Sequence, residues 1–111
     1  YPGGNVYCAS KHAVAALNEG LRLDLLGTGV RVATVDPGMV GETEFSLVRF
    51  HGDADRASAV YRGVTPLRPE DVAELIVYVA TRPQHVNIAE TVILPTDQAS
   101  ATNVHRRSDA R

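Results

Sequence analysis

Two short runs rich in β-branched residues stand far apart in this sequence: Val-Arg-Val-Ala-Thr-Val at 30–35 and Thr-Val-Ile-Leu at 91–94. An amphipathic helical pattern lies between them. Antiparallel strands can be joined by a tight turn, whereas parallel strands need a long crossover, usually a helix. Such crossovers are right-handed. Both faces of the first run carry apolar or small groups, as in a sheet covered by helices on both sides.

The helices are written around these runs. Asn5 is a candidate N-cap, and the spacing of Val14, Leu17, Leu21 and Leu25 predicts a helix with an apolar stripe over 6–26. Gly27 follows as a C-terminal stop. Pro69 fits the first position of a second helix, with Glu70 and Asp71 beside the positive end of its dipole. Val72, Leu75, Ile76, Val79 and Ala80 fill the i, i+3, i+4, i+7, i+8 positions before Pro83 ends the pattern. Asp36-Pro37-Gly38 is expected to break the first strand. Residues 39–52 read as an irregular loop, 53–61 as a weaker helix, and the residues from Thr96 as polar and extended, with a solvated basic tail at 103–107. Helix, strand, helix, strand is an α/β order. Two strands are too few for an independent doubly wound sheet. The expected fold is the C-terminal half of a Rossmann-like, doubly wound parallel sheet, with residues 1–111 forming part of one domain.

Composition narrows the functions. The chain has 111 residues, 44% of them hydrophobic and 22% charged, as in a soluble globular protein. A net charge of -2 favours neither nucleic acid nor an anionic membrane as partner. No apolar stretch reaches the length of a membrane span, and no signal peptide is evident. The single cysteine, Cys8, cannot form an internal disulfide and reads as a small buried hydrophobe. His12, His51, His85 and His105 are scattered, none at a metal-ligand spacing from Cys8, so no metal is expected. The sequence begins at Tyr1 rather than methionine, which we read as a fragment or a processed piece.

The chemistry-bearing pair is Tyr7 and Lys11. Four residues apart on a helix, they share a face. A free phenol ionises near pH 10, and an ammonium held beside a phenol favours its ionised form. A tyrosine tuned in this way can exchange a proton with an alcohol or carbonyl oxygen. Lys11 adds three donors that could hold a pair of ribose hydroxyls. The spacing alone is a weak signal, equally met on an exposed helix face. Its context is Tyr7-Cys8-Ala9-Ser10-Lys11-His12-Ala13-Val14, in which Ala9, Ser10 and Ala13 permit close approach of a cofactor or partner helix.

This run closely resembles the active-site helix of the short-chain dehydrogenase/reductase family. The strand 31–35 and the following Asp36-Pro37-Gly38-Met39-Val40 resemble that family's strand and Pro-Gly turn. Gly41-Glu42-Thr43-Glu44-Phe45-Ser46, Val48-Arg49-Phe50, Gly52-Asp53, the stretch 83–88 and the tail 103–106 resemble one branch, the NADP-dependent 3-hydroxy acid dehydrogenases that oxidise serine and allo-threonine. Glu42 departs from that branch, which has a smaller residue there.

The resemblance implies roles. Tyr7 is the general acid/base, and Lys11 tunes it and orients the nicotinamide ribose. Pro37, Gly38, Val40 and Thr43 contact the nicotinamide end of NADP, and the loop 39–50 closes over a small hydroxy acid. It further implies a cytoplasmic enzyme that is a homo-oligomer, a tetramer, in its full-length form. The family's glycine-rich turn and catalytic serine have no counterpart here, and Ser10 is not that serine, so the 111-residue chain alone is expected to be inactive. Two alternatives stay open: a related reductase of ketones or acyl carriers, and a non-catalytic remnant acting only in association.

Arg49 is the candidate for substrate binding, because a guanidinium can grip a carboxylate bidentately; a surface arginine is the plainer reading. In the complete protein, Arg49→Ala is expected to raise KM for hydroxy acids about tenfold more than for uncharged alcohols, the size of one charge-assisted hydrogen bond. Steady-state kinetics on both substrate classes checks this, and equal effects refute it.

Overall fold

The structure, a computed structural model, describes residues 2–41 and 51–108, apart from the side chain of Ala57. Its elements are α1 (Asn5–Asp24), β1 (Thr34–Pro37), α2 (Ala54–Ala59), α3 (Pro69–Ala80) and β2 (Glu90–Ile93). β1 and β2 pair in parallel, with Thr34 opposite Glu90 and Pro37 opposite Ile93. α3 lies between them in sequence and packs on β1. The α/β order and the parallel pairing follow the sequence pattern; several boundaries do not.

β1 sits later than the predicted 30–35, and the cause is competition for carbonyls. Gln84 Nε2 donates to Gly29 O at 2.6 Å and Asn87 Nδ2 to Val32 O at 3.1 Å. Side chains therefore occupy acceptors that a neighbouring strand would use, and the ladder starts only where Thr34 N–H donates to Ala89 O. At its other end the strand runs through Pro37 instead of stopping at Asp36. Thr34 and Gly38 both donate to the β2 side, to Ala89 and Ile93. This two-residue alternation turns position 37 away from β2, so the missing proline N–H costs the ladder nothing.

α1 is capped by Gly4, not Asn5, since Gly4 O accepts the first helical bond from Cys8 N at 2.8 Å. It ends at Asp24, before the predicted 26. Gly27 and Gly29, at φ +90° and +81°, turn the chain toward β1. Its apolar stripe faces outward: Val14, Leu17 and Leu21 are exposed, Leu17 by 67%, whereas Asn18 is buried at 7%. Cys8 is only half-buried for the same reason. Val64 and Pro95 are the buried apolar side chains among the described residues. The radius of gyration, 16.6 Å, exceeds the ~13 Å of a compact chain of this size.

α3 starts as the sequence requires. Pro69 stands in the first turn, and the Asp71 carboxylate accepts from Arg68 N at 2.8 Å, one half of a capping box. α2 is capped by Asp53, whose Oδ1 accepts from Arg56 N at 3.1 Å. The far end of α3 is held by a residue the sequence did not single out. Arg31 donates to Arg82 O and Val86 O at 3.0 Å each and to Ala80 O at 2.9 Å. A guanidinium there satisfies orphan carbonyls and complements the negative end of the helix dipole.

The residues from Thr96 do not run extended. They fold back through a bridge between Gln98 and Val104, with Ser100 Oγ accepting from Asn103 N at 3.1 Å and His105 N donating to Asp97 O at 2.7 Å. The basic tail is solvent-exposed, as expected, apart from half-buried Val104, but it is also tethered. Arg106 donates to Val60 O and Arg62 O at 3.0 and 2.7 Å, and Arg107 pairs with Asp97 at 2.9 Å. No described helix is long and apolar enough to cross a membrane.

Arg31→Met keeps the stem of the side chain and removes all three carbonyl contacts. Urea unfolding of the complete protein is expected to show a loss of about 2 kcal/mol, the scale of hydrogen bonds to a charged group. A change below about 0.5 kcal/mol contradicts this reading of the arginine.

Candidate active site

One turn of α1 brings Tyr7 and Lys11 together: Lys11 Nζ lies 5.4 Å from the centroid of the Tyr7 ring, within cation–π range. Tyr7 is 45% exposed, so a ligand can reach it. The polar neighbours are turned into the helix itself. Ser10 Oγ donates to Tyr7 O at 2.7 Å, and His12 Nδ1 lies 2.7 Å from Cys8 O. The Ser10 hydroxyl thereby gives its proton to its own helix.

The second cluster forms at the carboxyl end of β1. Pro37, Gly38 and Val40 lie together in a bend that is held by several long-range hydrogen bonds. Gly38 N donates to Ile93 O at 2.8 Å, Leu67 N to Met39 O at 2.8 Å, and Gly41 N to Leu67 O at 2.8 Å. Met39 N donates to Gln98 Oε1 at 2.9 Å, and the Tyr61 hydroxyl to Val40 O at 2.9 Å. The N–H of Val40 alone in residues 38–41 finds no acceptor among the described residues. Donors of this kind, at the carboxyl edge of an open parallel sheet, are where such sheets take ligands. Thr43 and Arg49, the other two expected site residues, lie outside the described residues.

Gln98, Tyr61 and Leu67 escaped the sequence reading. They carry no local motif, and each reaches the bend from a distant part of the chain. Gly38 did carry a signal, whose cause is now visible: a Cβ there would collide with Gln98 Oε1 and come within 2.9 Å of Leu94 Cδ2. An open groove of about 510 Å³ between Thr65–Leu67 and Ile93–Thr96 contains none of the five candidate residues just placed. Among the described residues, no three His, Cys, Asp or Glu side chains converge as metal ligands.

Asp97 braces the segment behind the bend. Its carboxylate accepts from Thr65 N at 3.0 Å and from Arg107 Nη1 at 2.9 Å. The Thr65 N–H first, then the Arg107 guanidinium, hold its pKa below the usual carboxylate value. A carboxylate so held stabilises the fold above about pH 4, the unfolded value, and loses that contribution as pH falls through its lowered folded value. The stability difference between the complete protein and its Asp97→Asn variant is therefore expected to be constant at neutral pH and to shrink below about pH 4. A difference that persists undiminished at the acid end contradicts it.

Residues 1–52 match the family model of the short chain dehydrogenases. Sulfoacetaldehyde reductase 2 of Chromohalobacter salexigens is 57% identical over 99 residues, 89% of this chain and 39% of that protein. The NADP-dependent 3-hydroxy acid dehydrogenase of Schizosaccharomyces pombe is 48% identical over 107 residues, 96% of this chain and 41% of that protein. A closed form of serine dehydrogenase complexed with NADP+ superposes with a TM-score of 0.87 at 49% identity, covering 96% of this chain and 44% of that one. The chain thus spans about two fifths of the length of the proteins it matches, in the region of the parallel sheet and its bend. It is similar to the short-chain dehydrogenase/reductase family in residues 1–52 and has a Rossmann-like α/β fold.

Proposed function

We infer that the complete protein is an NADP-dependent oxidoreductase that interconverts a small anionic alcohol, in first place a 3-hydroxy acid such as serine or allo-threonine, with its carbonyl form. The observation that carries this is the Tyr7–Lys11 pair on α1, together with a bend that keeps one backbone donor, Val40 N–H, uncommitted. The similarity to an NADP-dependent 3-hydroxy acid dehydrogenase and to an NADP+-bound serine dehydrogenase supports the cofactor and substrate class.

The nicotinamide supplies hydride acceptance and donation when bound. Tyr7 takes the proton from the substrate hydroxyl in oxidation and returns it in reduction. Lys11 holds the ribose hydroxyls with its ammonium and places a positive charge beside the phenol. Val40 N–H, with Pro37 and Gly38 beside it, holds the nicotinamide end, and Thr43 contributes its hydroxyl. Arg49 takes the carboxylate of the substrate. The protein works as a homo-oligomer, a tetramer, in the cytoplasm, and residues 1–111 alone, as part of the catalytic domain, do not turn over.

A second reading has a specific observation behind it: the 57% identity to a sulfoacetaldehyde reductase. A sulfonate is also an anionic head group, and the same Tyr7 and Arg49 roles would serve it.

The complete protein should be assayed with NADP+ against serine, allo-threonine, 2-hydroxyethanesulfonate and a neutral alcohol of similar size. Activity is expected on the 3-hydroxy acids, and Tyr7→Phe should reduce kcat about 10²- to 10⁴-fold, the usual weight of general acid–base catalysis. Preference for the sulfonate replaces the first reading by the second. Equal turnover of the neutral alcohol, or an unaffected Tyr7→Phe variant, overturns both.

A further inference from the structure

Gln98 lies in the turn after β2, far in sequence from the bend at residues 37–41, and its side-chain amide is inserted into that bend. Its Oε1 accepts from Met39 N at 2.9 Å, and its Nε2 donates to Ser100 O at 3.2 Å. Both ends of the amide are thus used. The side chain comes so close that a Cβ on Gly38 would collide with Oε1. The glycine of the Pro-Gly pair is required here by the approach of a particular side chain, since its φ does not lie in the left-handed region.

Two successive peptide planes follow from these contacts. Every peptide bond in the described chain is trans, and in a trans peptide the C=O and the next N–H point in opposite directions. Leu67 N takes Met39 O, so Val40 N–H must point away from Leu67. Gln98 fixes the plane just before it by taking Met39 N–H. With Tyr61 on Val40 O, the direction of the uncommitted Val40 donor is set from both sides.

We propose that Gln98 is a positioning residue for the nicotinamide end of the cofactor: by holding Met39 N–H it orients the bend so that Val40 N–H is presented to the ligand. The inference rests on the reading above that this bend meets the nicotinamide. Gln98 itself touches neither substrate nor cofactor. Loss of its acceptor leaves Met39 N–H unpaired and lets the peptide plane rotate, which weakens the hold on the nicotinamide carboxamide and leaves the adenosine end of the cofactor untouched.

The test is equilibrium binding to the complete protein, with two probes. NADP+ has both ends of the cofactor; adenosine 2′,5′-bisphosphate has the adenosine end alone. Gln98→Leu is expected to weaken NADP+ binding about tenfold, the size of one lost hydrogen bond, while the bisphosphate binds as before. Gln98→Glu keeps an acceptor for Met39 N–H and should recover most of the NADP+ affinity. Gly38→Ala, whose Cβ displaces the amide, is expected to give the same selective loss without any change at position 98. Equal weakening of both probes means a general structural role and overturns the proposal, as does unchanged NADP+ binding in Gln98→Leu and Gly38→Ala. If the unsubstituted protein binds neither probe, the cofactor assignment itself fails, which is a different result from a Gln98 variant that behaves like the parent.

Discussion

The parallel pairing of β1 with β2 is the constraint on which the rest of the structure depends. It sets where the chain can bend, because the donors of β1 alternate and Thr34 and Gly38 face β2. Pro37 is tolerated on the other side of that alternation, and Gly38 follows as the last residue held by the ladder. The bend then lies at the carboxyl edge of the sheet, where open α/β sheets take ligands. From there the chain is gripped in turn by Leu67, through two backbone hydrogen bonds, and by Gln98 and Tyr61, through one each. A bend held at so many points is rigid on the scale that positioning a cofactor requires.

α1 stands in contrast. Its Tyr7–Lys11 pair is brought together by helix geometry, yet its apolar stripe finds no cover among the described residues, and the side it turns inward carries Asn18 and half-buried Arg22. The helix and the bend are therefore fixed by different forces. One is a local ladder of i, i+4 bonds; the other is a set of long-range contacts gathered around a short parallel sheet.

What could be read in the sequence was what local rules write. The 3.6-residue period of Val72, Leu75, Ile76 and Val79, with Pro69 and Asp71 at its start, marked α3 nearly to the residue. The Tyr7–Lys11 spacing marked their shared face. The Pro-Gly pair marked the bend, though not its reason. The position of β1 was missed because Asn87 takes the Val32 carbonyl that the β-branched run offers to a strand, while Gln84 holds Gly29 just before it, and no periodicity encodes that. The tethering of the exposed tail was missed for a similar cause. Arg106 and Arg107 look like ordinary solvated charges until the carbonyls of Val60 and Arg62 and the carboxylate of Asp97 come to meet them. Gln98 belongs with these: its partners are remote in sequence, and glutamine has no characteristic position of its own.

The central claim is that the α1 pair and the bend at residues 37–41 serve one cofactor. A crystal structure of the complete protein with NADP+ tests it most directly. The account predicts the nicotinamide between them, with Lys11 Nζ on its ribose, Val40 N–H on its carboxamide and the Tyr7 hydroxyl facing the reactive carbon. A nicotinamide bound away from the bend, or a Tyr7 hydroxyl turned from it, would contradict the account.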